Sequence, residues 1–320
     1  MARADLLIGL IRSGTRGDKV SFRKVAEALA AEEKAKGHNI LSKRIADSLV
    51  SVNNGNGHKF AASIAQQKNL FYEISPERAL QSLFLADNVL EQVRDLIEEQ
   101  HRSELLHAHN LTARNRILLA GSPGNGKTSL AEAIATELMV PLIVIRYEGL
   151  IGSYLGETAS RLQQIIDYAK TQRCVFFIDE FETIGKERGD TNETGEIKRI
   201  VSSLLLQIDS LPDYVVVAAA SNHPELLDRA VWRRFQIRLE LSTPTRSQIS
   251  KFITSISERT KTEFGLSRET MAKRLYGANY AEIEEVCLTI VRKTILTQEF
   301  NNPRPITNRV ISQWQQRFKT

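Results

Sequence analysis

Gly121-Ser122-Pro123-Gly124-Asn125-Gly126-Lys127-Thr128 has the residue types and spacing needed to hold a chain of phosphates. Gly121, Gly124 and Gly126 let the backbone curl with its N–H groups turned inward, where any Cβ would obstruct. Lys127 adds a point charge against the β- and γ-phosphates, and the Thr128 hydroxyl suits Mg2+. A short apolar run, Ile117 to Ala120, precedes the stretch, and Leu130 to Ala135 after it reads as a helix. Strand, turn and helix in that order separate a phosphate cradle from a chance glycine-rich surface loop, because the helix N-terminus adds a favourable dipole.

Asp179-Glu180 closes the run Cys174-Val175-Phe176-Phe177-Ile178. That unbroken apolar character predicts a parallel strand buried on both faces. Acids at its carboxyl end fall where open α/β sheets form their ligand crevice. The chemistry wants both acids: Asp179 to hold a Mg2+ shell through water, and Glu180 to orient and deprotonate the attacking water. Asn222 follows the strand Val215 to Ala220 and suits the γ-phosphate or that water. Arg233 and Arg234 stand before Phe235, where they either pair with local acids or reach a neighbouring subunit's phosphate as fingers.

The rest of the chain must position these groups. Its 320 residues allow about two domains. Hydrophobic residues at 42% and charged residues at 25% favour neither disorder nor a membrane span, and a net charge of +5 permits an acidic partner without demanding one. The run Leu6 to Ile11 is too short to cross a bilayer and lacks a small-residue cleavage site, so a cytoplasmic location is expected. Cys174 and Cys287 have no metal-ligand spacing around them and read as core packing in a reducing compartment.

Residues 1–57 read as a small helical unit with a flexible joint. Its helices are expected at Ala4 to Arg12, from Ser21 to near Gly37, and from Ile40 to Val50, before Asn53-Asn54-Gly55-Asn56-Gly57. Phe22, Val25, Ala26 and Leu29 share one face of the second helix. The unit is expected to dock a partner or substrate. Residues 58–243 hold the strands and the site. Within them Asp87 is placed to cap a helix carrying Val89, Val93, Leu96 and Ile97 and reaching about Leu106. His101, His107 and His109, lacking a nearby carboxylate or cysteine at ligand spacing, read as solvated surface. Leu142 to Ile145 reads as a strand, and a helix is expected from near Thr158. Between them lies Gly152-Ser153-Tyr154-Leu155-Gly156-Glu157, a glycine-flanked loop presenting Tyr154 and Leu155 to something that binds or passes. Residues 244–320 read as helices near Gln248–Arg259, Tyr280–Gln298 and Ile306–Arg317.

The ordered set Gly121–Thr128, Phe176–Glu180, Ser221-Asn222 and Arg233-Arg234-Phe235 resembles the AAA family of ring-forming ATPases, over about residues 85 to 300. The resemblance implies an α/β fold: a P-loop NTPase parallel-sheet core, a C-terminal helical lid and here a small N-terminal helical domain. It implies that ATP and Mg2+ are held by Gly121, Pro123, Gly124, Asn125, Gly126, Lys127, Thr128, Ser129 and Ala281, with Thr128 and Asp179 at the metal. Lys127, Glu180, Asn222, Arg233 and Arg234 take the catalytic roles, and Tyr154 with Leu155 the pore loop that grips a polypeptide. Three departures stand out: no proline-glycine spacer separates the arginines, Ser153 replaces a usual basic residue, and Tyr280 stands where a glycine is usual.

The implied activity is Mg2+-dependent ATP hydrolysis by a homo-oligomer, expected to be a hexamer, that threads or remodels a protein substrate. The chain is similar to stand-alone bacterial AAA ATPases found with a subtilisin-like protease in anti-phage defence, so a partner protease is expected. The rival expectation is a nucleic-acid-associated switch such as a helicase loader, which the basic stretch Arg12 to Lys19 allows. Tyr154-Leu155 suits a passing side chain better than a phosphate backbone.

Overall fold

The computed structural model describes residues 19–35, 70–145, 155–184, 204–299 and 302–317. The expected helices 4–12 and 40–50, the joint at 53–57 and Tyr154 lie outside them. Helix α1 (Lys19–Ala35) carries Ala26, Leu29 and Ala30 as buried residues.

The core is a six-stranded sheet in the order β1-β3-β4-β5-β2-β6. Its strands are β1 (Phe71–Ile74), β2 (Arg116–Ala120), β3 (Leu142–Ile145), β4 (Cys174–Ile178), β5 (Val215–Ser221) and β6 (Ile237–Glu240). All neighbours run parallel except β1 on β3, an antiparallel edge. Because side chains alternate across a strand, each central strand feeds two cores. Cys174, Phe176 and Ile178 of β4 pack on one face with Val215 and Val217 of β5. Val175 and Phe177 pack on the other face with Val216, Ile117 and Leu119. An apolar run without alternation is therefore what this position requires.

Helices α2 (Asp87–His101), α3 (Ser103–Ala108), α4 (Lys127–Glu137), α5 (Leu155–Lys170) and α6 (Arg229–Arg234) connect the strands, and residues 204–209 are helical. Val89, Val93 and Leu96 of α2 enter the core beside α4. Two expectations are corrected here. Ala86, not Asp87, is the N-cap of α2, and Asp87 is its first helical residue. The helix also stops at His101, the chain breaking at Arg102 before α3, which buries no residue and so has no packing to continue the axis. Helix α5 begins before the expected Thr158, taking Leu155 to Glu157 into its first turn.

After β6 the chain is helical: α7 (Arg246–Thr260), α8 (Arg268–Arg274), α9 (Tyr280–Thr297) and α10 (Arg304–Arg317). Their apolar faces form a separate core around Ile249, Ile253, Met271, Ile283, Cys287 and Ile311. Thr245 and Asn279 start α7 and α9 as full capping boxes with Gln248 and Glu282, a signal present in the sequence as residues three apart. Among the described residues no helix is long and apolar enough to cross a membrane.

Candidate functional site

The carboxyl ends of β2, β4 and β5 deliver the site, since these three are adjacent in the sheet. From β2 the chain enters the loop Gly121–Gly126, held between two neighbours. Gly121 N–H donates to the Ser221 carbonyl at 3.2 Å, and Leu241 N–H donates to the Ala120 carbonyl at 2.8 Å. Gly121 has φ +141°, and a Cβ there would lie 2.3 Å from the Leu241 carbonyl oxygen. At Gly124, φ +77°, a Cβ would lie 2.7 Å from the Asn279 side chain. The obstruction at these two glycines thus comes from the protein's own neighbours. A Cβ at Gly126 meets nothing within 4 Å, and there the positive φ of +88° is the constraint. Asn125 is buried and donates from Nδ2 to the Leu241 carbonyl at 3.4 Å.

Lys127, the first residue of α4, is buried with its Nζ bonded to Gly121 O at 2.6 Å, Ser122 O at 3.1 Å and Asn222 Oδ1 at 2.7 Å. Burial lowers its affinity for its proton, while the carboxylates of Asp179 and Glu182 oppose that effect. The Thr128 hydroxyl donates to Asp179 Oδ2 at 3.2 Å. Hydroxyl and carboxylate oxygens brought together beside a phosphate cradle are the hard donors that Mg2+ prefers, so the residues present fit that ion. Glu180 is exposed and adopts φ +45°, a left-handed conformation uncommon for a residue with a side chain, and its N–H donates to Asp179 Oδ1 at 2.9 Å. This turn separates the two carboxylates: Asp179 faces Thr128, and Glu180 stands free of that pair.

A cavity of about 940 Å3 runs from these groups to the helical region. The loop residues Pro123 to Ser129, with Asp179, Glu180 and Asn222, line one end; Phe84, Phe252, Tyr280 and Ala281 line the other. A charged end and an aromatic end match the two halves of a nucleotide. Ala281 N–H donates to the Gly124 carbonyl at 3.1 Å, so the first turn of α9 is fastened to the phosphate loop itself. Tyr280 adds a second tie, its hydroxyl donating to the Phe84 carbonyl at 2.6 Å, with its ring 5.1 Å from Phe252 and perpendicular to it at 89°. Burial pushes the Tyr280 phenol up to about 12, which keeps it a donor.

Residues 117–243 match the family described as "ATPase family associated with various cellular activities (AAA)". The chain is 32% identical over 302 residues to the uncharacterized AAA family ATPase y4kL of Sinorhizobium fredii, covering 92% of this chain and 90% of that one. The chain belongs to the AAA family. It is an ATPase. It is also 33% identical over 190 residues to a putative 26S proteasome regulatory subunit homolog of Methanothermobacter marburgensis, across 58% of this chain and 51% of that one. The crystal structure of the FIGL-1 AAA domain superposes with a TM-score of 0.60 over 75% of this chain and 80% of that one, at 19% identity, a likeness of fold.

Within this AAA protein the two adjacent arginines have different surroundings. Arg234 donates from Nε to Asp209 Oδ2 at 2.9 Å, and Asp209 also receives Arg116 at 3.0 Å. Arg233 is exposed, has no hydrogen-bond or ion-pair partner among the described residues, and does not line the cavity. Leu155 begins α5, and Tyr154 lies outside the described residues. The histidines are not brought to the site. His101, His107 and His109 are all exposed, as expected; His107 lies 2.5 Å from Asp213 at the opposite end of β5, and no metal-holding cluster occurs among the described residues.

Sequence reasoning missed Glu182, Phe84 and Phe252. Glu182 stands two residues beyond Glu180, but its neighbours in sequence do not distinguish it from a solvated loop acid. Phe84 and Phe252 belong to segments far apart in the chain, and only the α7 periodicity hinted at a packed role for Phe252.

Proposed function

We propose that this AAA ATPase works as a ring, a hexamer of identical chains, that couples ATP hydrolysis to threading or remodelling a protein substrate. The observation that carries the reading is the contrast between a site furnished with Lys127, Asn222, Asp179 and Glu180 and an exposed Arg233 outside it that has no partner among the described residues. Such a cation has a use when it is presented to a neighbouring chain's γ-phosphate.

In this reading the loop amides and Lys127 hold the β- and γ-phosphates, and Asn222 keeps Lys127 and the attacking water in register. Glu180, set apart from Asp179 by its left-handed turn, takes the proton of that water. Bound Mg2+, held by Thr128 and Asp179, supplies neutralisation of phosphate charge. Arg233 of the neighbouring chain completes it. Residues 1–57 serve as a docking head, 58–243 as the large subdomain and 244–320 as the lid, in a cytoplasmic setting. The lid senses the nucleotide through the Ala281–Gly124 and Tyr280–Phe84 bonds. A substrate polypeptide is gripped by Tyr154 and Leu155. The resemblance to ATPases accompanying a subtilisin-like protease in anti-phage defence is the basis for proposing a protease partner, and co-purification tests it.

The test of the ring is the ATPase rate per chain as a function of chain concentration, measured beside mass by light scattering. The specific rate is expected to collapse by about three to five decades as the assembly dissociates. A rate per chain that stays constant down to the monomer refutes shared chemistry. For threading, Tyr154→Ala is expected to hydrolyse ATP normally while losing substrate processing.

A further inference from the structure

Glu182 is a buried carboxylate that the hydrolytic scheme above does not use. It lies on the short turn Phe181–Ile184 that follows Glu180 and is 4% exposed. The turn is anchored by Phe181, 1% exposed, whose ring meets Phe235 edge-on at 6.0 Å. Glu182 Oε1 accepts a hydrogen bond from the Asn222 backbone N–H at 3.0 Å. Its other oxygen, Oε2, is enclosed and has no hydrogen-bond partner among the described residues. A carboxylate taken out of water with half its acceptor capacity unused is costly, and such groups persist where their charge or geometry serves the site.

The sheet explains why Asn222 needs this partner. β4 pairs with β5 only as far as Ile178 opposite Ala219. Beyond that point the chain of β4 has turned away through Asp179 and Glu180, so Asn222 N–H finds no strand beside it. Glu182 supplies the acceptor that the ended strand does not. The Asn222 side chain in turn accepts from Lys127 Nζ at 2.7 Å, so one line of contacts runs Glu182–Asn222–Lys127 into the phosphate loop.

We infer that Glu182 is a positioning residue for hydrolysis, holding the Asn222 backbone so that its amide oxygen stays aimed at Lys127 and the γ-phosphate end of the cavity. The inference rests on reading Lys127 and Asn222 as the γ-phosphate side of the site. It requires an acceptor at Oε1 and does not require a negative charge there, which separates it from a role in which Glu182 acts on the reacting groups by charge.

The experiment is steady-state ATP hydrolysis by the full-length assembly carrying Glu182→Gln, Glu182→Met, Asn222→Ala, or Glu182→Met with Asn222→Ala. The glutamine keeps an acceptor for Asn222 N–H and is expected to retain most of kcat. The methionine fills the volume without an acceptor and is expected to lower kcat about tenfold, one hydrogen bond's worth, with KM for ATP nearly unchanged. Once Asn222 has lost its side chain, adding Glu182→Met is expected to change kcat by less than about twofold. Two results overturn the inference: a methionine penalty multiplied in full onto the Asn222→Ala loss, or a glutamine variant as slow as the methionine one. Wild-type turnover by Asn222→Ala overturns the site reading itself, and this inference with it. If thermal unfolding shows that the methionine variant does not fold, the same cycle with Glu182→Ser, whose hydroxyl is too short to reach Asn222 N–H, carries the same expectations.

Discussion

The two adjacent arginines allow one motif to be divided by a single experiment. Arg234 is engaged within its own chain, and Arg233 has no partner among the described residues. Removing Arg234 as Arg234→Ala breaks its 2.9 Å contact to Asp209. The two side chains remain 28% and 35% exposed, so solvent screens the pair, and Asp209 keeps Arg116 at 3.0 Å. The loss belongs near the exposed-pair range, about 0.5–1 kcal/mol. At this chain length that lowers the thermal midpoint by ~1–4 °C. Arg233→Ala breaks no contact among the described residues and is expected to leave the midpoint within about 1 °C, yet to cut turnover by about three to five decades as a lost trans-acting finger. Mixing sharpens the assay. A chain carrying Arg233→Ala keeps its own Glu180, and a chain carrying Glu180→Gln keeps its Arg233. Mixed rings therefore contain interfaces where both halves are intact, and turnover in the mixture is expected to rise far above that of either variant alone. Full activity in Arg233→Ala, with near-complete loss in a well-folded Arg234→Ala, would refute the reasoning. So would a mixture no faster than its components.

Other variants probe the cradle and the lid. Gly121→Ala places a Cβ 2.3 Å from the Leu241 carbonyl oxygen at φ +141°, so the loop must shift. It is expected to cost about 2–4 kcal/mol, a midpoint lowered by ~5–15 °C, with weakened binding of a fluorescent ATP analogue. Tyr280→Phe removes only the hydroxyl bonded to the Phe84 carbonyl. The expected loss is about 0.5–1.5 kcal/mol, read as a lower midpoint and as a KM for ATP raised by up to about tenfold. An unchanged KM and midpoint would show that this tie does not hold the C-terminal helices to the cavity.

Much of the site was visible in the chain as written. The loop from Gly121 to Thr128 uses contiguous residues, and backbone geometry alone dictates where its glycines and lysine fall. The run Cys174–Ile178 announced a doubly buried strand because no solvent face interrupts it. Strands β1 and β6 were not recognised: unlike the equally short but wholly apolar β3, they are edge strands that carry polar residues among only four positions, so neither an unbroken apolar run nor a sustained alternation emerges. The helix break at Arg102 was hidden because Leu105 and Leu106 continue the apolar spacing of α2 without burying anything.

The sequence by itself carried the family resemblance in the order of its motifs, and it determined the glycine-rich stretch and the acids at the end of a buried strand. The last two are local: each is specified by the periods and turn preferences of neighbouring residues. The tertiary structure decided which arginine is already occupied, since Asp209 lies 25 residues from Arg234. It also decided that Glu182 braces Asn222 across 40 residues and that Tyr280 reaches Phe84 across 196. Contacts between such distant positions depend on strand order and on where each strand ends. Those are settled only when the sheet assembles and its two apolar faces are covered.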